Sequence, residues 1–289
     1  MLNGIINVHK EKGFTSHDVV GKLRGILKTR KIGHTGTLDP DATGVLPVCI
    51  GNATKLCDMF TEKTKEYRAV MLLGTTTDTE DISGTVLTRN EVNVCEADVL
   101  AAIEGFVGDY DQIPPMYSAL KVNGKKLYEY AREGKEIERK PRKVTVFCIK
   151  DVSVALPGVT FTVSCSKGTY IRSLCRDIGE KLGCGACMES LVRTRSGNFY
   201  IENAIKLADI EKLAKTDRIG EILYPTESFF DEYPVYQATD TVAKLVKNGN
   251  AFREKYIGGH LRIHVEDEFI GVYYYDGDNE VYKPEKMFL

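Results

Sequence analysis

One irregular stretch limits the folds open to this chain more than any other: Gly33-His34-Thr35-Gly36-Thr37-Leu38-Asp39-Pro40-Asp41-Ala42-Thr43-Gly44-Val45-Leu46-Pro47-Val48. Its three glycines admit backbone conformations closed to other residues, and Pro40 fixes the chain directly after Asp39, so that one carboxylate is presented in a defined direction. The continuation from Gly44 to Ile50 is apolar and reads as a strand. An irregular loop anchored to a buried strand is where a rigid scaffold carries its reactive groups.

Around that loop the pattern alternates between periods of two and of 3.6. Gly4 to His9 reads as a short strand, and Ser16 to Leu27 as a helix with Ser16 as its N-cap. Asn52 to Phe60 reads as a helix and Glu66 to Leu73 as a strand. Asn93 ahead of Glu96 resembles a capping box opening a helix to Phe106. A short helix is expected over Lys125 to Arg132, closed by Gly134. Paired strands follow at Arg142 to Leu156 and Val159 to Ser166, then a helix from Tyr170 to Leu182 stopped by Gly183. Strands and helices mix without strict alternation. This predicts an α+β fold, a mixed, largely antiparallel sheet flanked by helices.

A chain of 289 residues is longer than one average domain. The composition changes between Tyr224-Pro225 and Tyr233-Pro234. Beyond lie a helix-like Thr239 to Lys247 and strand-like Leu261 to Val265, Phe269 to Tyr275 and Glu280 to Tyr282, with turn signals at Gly249, Gly258-Gly259 and Asp276-Gly277. Two domains are therefore expected, 1–232 and a small β-rich 233–289.

No apolar run approaches the roughly 18 residues a membrane helix needs, and Met1 to Lys10 lacks the pattern of a signal peptide. A cytoplasmic protein is expected, with its eight cysteines reduced. Cys184 and Cys187 form a lone C-x-x-C with no second pair at zinc spacing, so all eight are read as small buried hydrophobes. His260 and His264 share a strand face but lie too far apart for one ion. No metal site is assigned.

A net charge of −2 argues against a protein that coats nucleic acid indiscriminately. Locally the balance differs. Between Lys121 and Lys143 there are nine cations (121, 125, 126, 132, 135, 139, 140, 142 and 143) against Glu129, Glu133, Glu136 and Glu138, an excess of five. Tyr117, Tyr128 and Tyr130 are interleaved. Cations for phosphates beside rings for bases fit an RNA-binding surface, and a solvated helix with salt-bridged faces fits the composition equally well.

Asp39 and Asp41 would face one side of an extended segment, a spacing that invites a glycosidase-like pair of acids. Glycoside hydrolases, however, draw acid and base from opposite sides of the bond, so a single nucleophilic or basic Asp39 is the better reading. No G-K-[ST] follows the glycines, which removes a Walker-type phosphate site. Asp78, Glu80, Asp81 and Gly84 miss calcium-loop spacing and read as a solvated acidic turn. A nucleophilic carboxylate beside substrate needs a cation to keep it ionised, and Arg172 is the candidate. It lies in Ser166-Lys167-Gly168-Thr169-Tyr170-Ile171-Arg172, where a turn opens a helix. Nothing in the spacing brings it to Asp39, and a surface arginine fits the same position.

These residues resemble the TruB family of bacterial tRNA pseudouridine-55 synthases. The resemblance rests on Gly33 to Val48, Lys65-Glu66-Tyr67-Arg68-Ala69, Gln112 to Lys121, Leu127 to Gly134, and Lys167 to Arg172. Val281 to Phe288 looks like the end of a PUA-type RNA-binding domain. The resemblance implies a pseudouridine synthase fold with a PUA-like C-terminal domain, and isomerisation of uridine 55 in the T-loop of tRNA. It implies that Asp39 attacks the flipped uridine, with attack on C6 of the base and on C1′ of the sugar both open. It further implies that Arg172 pairs with Asp39, Tyr67 stacks on the uracil, Tyr170 and Leu191 line the pocket, and His34 helps displace the base. Lys121, Arg132 and Arg142, in the basic segment, would contact the T-arm backbone, and the C-terminal module the acceptor stem. No cofactor or metal is implied; a monomer without an obligatory protein partner or membrane contact is expected.

The sequence departs from the family pattern at Glu11, where proline is usual, and at Cys187 and Val192, which stand in place of a histidine and an arginine flanking Leu191. An RNA chaperone using the same surfaces without catalysis is the alternative from another class.

Overall fold

The computed structural model describes residues 2–289. Eleven strands form one mixed sheet. Along its main path run Ile205–Lys206, Gly4–Lys10, Thr43–Ile50, Ala186–Ser196, Lys65–Leu73, Gly158–Cys165, Arg142–Ala155 and Gly108–Gln112. Three short strands pair beside that path: Ile32–His34, Phe199–Tyr200 and Leu223–Tyr224. Neighbours are antiparallel except Gly4–Lys10 with Ile205–Lys206, and Thr43–Ile50 with Ala186–Ser196. The second exception is a seam only two residue pairs long, Val192 with Thr43 and Arg193 with Gly44. The glycine-rich loop enters the sheet at that seam.

The local chemistry explains the elements. Helix Ser16–Ile26 starts at a capping box in which Thr15 Oγ1 accepts the Asp18 N–H and Asp18 accepts the Thr15 N–H. The cap is thus Thr15, one residue before the expected Ser16. The helix buries Val19, Val20 and Leu23, each contributing about 1.5–3 kcal/mol of apolar transfer. Helix Glu96–Glu104 is likewise capped by Cys95 and Asp98 rather than from Asn93, and ends two residues before Phe106. In Lys65–Leu73 burial alternates strictly: Lys65, Tyr67, Ala69, Met71 and Leu73 face the core. Helix Ile171–Lys181 packs Ile171, Leu174, Cys175 and Ile178 onto the same face of the sheet.

Four further differences from the sequence reading have simple causes. Lys125–Lys126 pairs with Lys121–Val122 in a hairpin around Asn123 (φ +52°) and Gly124 (φ +80°), so the helix begins at Leu127. Gly108–Gln112, polar in sequence, is a strand because it pairs along the edge of the sheet with Arg142–Ala155. Ile32–His34, within the expected loop, pairs with Thr43–Ile50. Cys95 and Cys148 are exposed and Cys57 half-buried, unlike the other five cysteines.

A second sheet, Val235–Gln237, His260–Val265, Glu268–Asp276 and Val281–Met287, carries helix Asp240–Lys247 and its own core around Phe252, Ile263, Tyr273 and Tyr282. It joins the main sheet through Phe230, Val272 and Phe288, packed in one cluster with Ile5, Val45 and Phe60. Among the described residues no helix is long and apolar enough to cross a membrane.

Candidate active site

The loop between Ile32–His34 and Thr43–Ile50 is held from behind by buried polar groups. The Ser16 hydroxyl accepts the Leu38 N–H at 2.9 Å. Lys10, wholly buried, donates to the carbonyls of Phe14 (2.5 Å), Pro40 (3.0 Å) and Glu11 (3.2 Å), so the turn after Lys10 closes around its ammonium with Glu11 in place of proline. Burial lowers the Lys10 pKa to about 8, against the opposing pull of Asp39 and Asp41. Arg193, also buried, donates to Val45 O at 2.6 Å and Gly36 O at 3.2 Å, binding both ends of the loop. Gly44 (φ +103°) has no alternative here: a Cβ would lie 2.2 Å from the Arg193 carbonyl oxygen.

This clamp presents Asp39, 37% exposed, to Arg172, only 5% exposed. Nε lies 2.9 Å from Oδ2 and Nη2 donates to Oδ1 at 3.1 Å, a two-pronged ion pair. Two main-chain carbonyls accept from the guanidinium as well, Thr79 O from Nη1 at 3.0 Å and Tyr117 O from Nη2 at 2.9 Å, while Asp81 Oδ2 stands 3.8 Å from Nε. All three guanidinium nitrogens of Arg172 are therefore engaged before a substrate arrives.

The pair opens into a cavity of about 410 Å³ whose walls include Tyr67, Tyr170 and Leu191. Tyr67 is held there by the inward register of its strand, and burial raises its phenol pKa, as it does that of Tyr170. Gln112 brackets the main chain of Tyr170, accepting its N–H at 2.8 Å and donating to its carbonyl at 3.0 Å, which fixes the entry of the helix that carries Arg172. Ser118 Oγ is buried in the wall without a hydrogen-bond partner. Leu191 lies in the wall, on the strand that also carries Cys187 and Val192. Of the expected residues, Asp39, Tyr67, Tyr170, Arg172 and Leu191 thus meet in one cavity.

His34 does not line it. It is half-buried on the short strand before the loop, its Nδ1 accepting the Gly36 N–H at 3.3 Å, with burial and then the neighbouring His17 and Arg193 lowering its pKa. Lys121, Arg132 and Arg142 are exposed outside the cavity. Tyr128 links Arg132 to it: the tyrosine is part of the cavity wall, and the Arg132 guanidinium lies 5.3 Å from its ring centroid. Within 121–143, Lys125 and Lys135 pair with Glu133, Arg139 with Glu136, and Lys143 with Asp109. Among the described residues, Lys121, Lys126, Arg132, Lys140 and Arg142 have no carboxylate within 4.0 Å.

The other acidic residues differ in their placement. Asp41 is exposed and is not part of the cavity wall. The turn at Asp78–Gly84 is not merely solvated: Glu80 is buried, accepts from Ser173 Oγ at 2.6 Å and pairs with Arg176. Lys10, Gln112 and Arg193 were not singled out as site residues in the sequence, and Glu80 only as part of a solvated turn. Their partners are mostly main-chain groups distant in the chain, which leave no residue pattern.

The model of the TruB family pseudouridylate synthase N-terminal domain matches residues 24–171, and that of the tRNA pseudouridylate synthase B C-terminal domain residues 172–231. The chain is 52% identical to the tRNA pseudouridine synthase B of Lachnoclostridium phytofermentans, with all of both chains covered. It is 42% identical to that of Bacillus subtilis, over 100% of this chain and 98% of that one. Among solved structures, an H/ACA RNP bound to a substrate RNA containing 2′-deoxyuridine superposes with a TM-score of 0.71 at 27% identity, over 99% of this chain and 85% of the other. A Cbf5-Nop10-Gar1 complex matches with the same TM-score at 29% identity and the same coverage. By sequence and by fold, the chain belongs to the TruB family of pseudouridylate synthases.

Proposed function

We propose that the protein isomerises uridine 55 in the T-loop of tRNA to pseudouridine, with Asp39 as nucleophile. The observation that carries this reading is the two-pronged Arg172–Asp39 pair opening into a cavity walled by Tyr67, Tyr170 and Leu191, in a family member. A base stacked in an RNA loop cannot reach a carboxylate at the inner wall, so the nucleotide must be extruded, at a cost of a few kcal/mol. Tyr67 offers the extruded uracil an aromatic face and Leu191 an apolar one. Asp39 forms a covalent bond to the nucleotide; the N1–C1′ bond breaks, the uracil turns, and C5–C1′ forms. C5 loses its proton, N1 gains one, and the carboxylate is released. The product is an isomer of the substrate, so the balance requires no oxidant, reductant or co-substrate. Arg172 holds the carboxylate in its attacking direction throughout.

Lys121, Arg132 and Arg142 neutralise phosphates of the T-arm, and His34 meets the T-loop where the base leaves the stack. Residues 1–232 carry the reaction, and 233–289 form a PUA-like unit that extends the contact to the acceptor stem. The protein acts as a monomer in the cytoplasm without an obligatory protein partner. The test is incubation with an unmodified tRNA transcript followed by mapping of pseudouridine. Product at position 55, and none when that uridine is replaced by cytidine, is expected; product elsewhere only, or none at all, refutes the reading.

A further inference from the structure

We propose that Glu80 is a positioning residue that aligns Arg172 for its work on Asp39; this rests on the reading of Asp39 as the reacting group. Two of the acceptors that fix the Arg172 guanidinium are main-chain carbonyls, Thr79 O and Tyr117 O, and both belong to irregular segments. Such carbonyls are only as well placed as the chain around them. Glu80 is the neighbour of Thr79, buried and in the left-handed region (φ +63°), a conformation unfavourable for a residue other than glycine that persists only where the surroundings enforce it. It turns the carboxylate inward. Oε2 accepts from Ser173 Oγ at 2.6 Å, one residue beyond Arg172, and Oε1 pairs with Arg176, one helical turn on.

Arg176 carries the connection to the other acceptor. Its Nη2 donates to Ile113 O at 3.1 Å, at the start of the segment leading through Pro114, Pro115 and Met116 to Tyr117, while Asp177 Oδ1 receives Nη2 at 2.7 Å and Nε at 2.9 Å. One carboxylate therefore joins the turn bearing Thr79, the helix bearing Arg172 and the segment bearing Tyr117. The turn is also tied to the sheet: Glu80 O accepts the Met188 N–H at 3.0 Å, three residues from Leu191 in the cavity wall. Glu80 has no place in that wall. Its influence on the reaction passes through the direction of Arg172.

The experiment compares Glu80→Gln and Arg176→Lys with the parent, measuring the single-turnover rate on an unmodified tRNA transcript, the Kd for the same RNA, and the melting temperature. Glutamine keeps the shape and loses the charge; lysine keeps the charge and loses the fork. Each is expected to slow the reaction about 10- to 100-fold while leaving Kd within about twofold, the signature of misplaced reacting groups. In an Arg172→Lys background, Glu80→Gln is expected to slow it less than about threefold further, because the group it positions is already gone. A rate within twofold of the parent, a Kd that weakens in step with the rate, full additivity with Arg172→Lys, or both variants unfolded at the assay temperature would each overturn the proposal. A parent protein that makes no pseudouridine overturns the reading of Asp39 along with it; an active parent with unaffected variants overturns the role of Glu80 alone.

Discussion

Arg172 and Asp39 lie 133 residues apart in the chain and meet through two contacts, Nε to Oδ2 at 2.9 Å and Nη2 to Oδ1 at 3.1 Å. The arginine is 5% exposed and the aspartate 37%. The cation is thus built into the wall while its partner faces the cavity. A buried charge is expensive unless its donors are satisfied, and here Thr79 O and Tyr117 O accept from it beside Asp39.

The fork matters as much as the charge. Lysine at position 172 can meet one oxygen of Asp39 and cannot also reach both carbonyls in the same plane. Charge-assisted hydrogen bonds contribute about 1.5–3 kcal/mol each, so Arg172→Lys is expected to lower kcat about 10- to 100-fold, with RNA affinity retained. Single-turnover rates and a filter-binding Kd measured side by side check this; a rate within a few fold of the parent would mean that the two-pronged geometry is incidental.

How far the sequence foretold this site depends on the kind of signal each residue leaves. The strand carrying Tyr67 was legible, read over Glu66 to Leu73, while the place of Tyr67 in the site came from family resemblance; the helix now seen at Ile171–Lys181 was legible from its apolar spacing and Gly183 stop. The meeting of Asp39 with Arg172 was not legible from spacing; family resemblance supplied it, since no local rule joins residues so distant. Ser16 was misread as a cap because a serine before an apolar run looks alike whether its hydroxyl turns to its own helix or, as here, to Leu38. Glu80 was read as solvated because three acids within four residues ordinarily are; Ser173 and Arg176, which bury it, lie more than 90 positions away.

The basic segment should act on affinity through phosphates. Each of Lys121, Arg132 and Arg142 is exposed and lacks a carboxylate partner among the described residues. Replacing any one by glutamine is expected to weaken tRNA binding and to reduce the slope of log K against log salt by about 0.7 to 0.9. Titrations at several salt concentrations measure it. An unchanged slope for all three variants would remove this surface from the interface.

Gly44 is required by space as well as by its dihedral. Gly44→Ala would drive a methyl group into the Arg193 main chain at the seam of the sheet and strain the backbone at φ +103°. A cost of about 3 kcal/mol or more is expected, with a melting temperature lower by several degrees. Calorimetry on the purified variant decides it.

Lys10 should leave a mark on stability at alkaline pH. Burial brings its folded-state pKa to about 8, below the ordinary 10.5, so between those values the unfolded chain binds the proton more readily. The cost of burying the ammonium is fully present below pH 8 and is relieved as pH rises toward 10.5. Lys65, brought to about 8 by burial, acts in the same direction. Relative to Lys10→Met, the parent should therefore gain stability from pH 8 to 10. Melting temperatures of both proteins across that range test the sign, and a parallel pair of curves would show that Lys10 titrates normally.

The proposed reaction turns on Asp39 as the group that forms the covalent bond. The most direct measurement is the pseudouridine content at position 55 of an unmodified tRNA transcript after incubation with the parent protein and with Asp39→Asn. The asparagine is nearly isosteric and leaves the cavity and the RNA surface intact, so binding should persist. The parent is expected to convert position 55 and the variant to yield no product above background; equal conversion by the two proteins would contradict the assignment of Asp39.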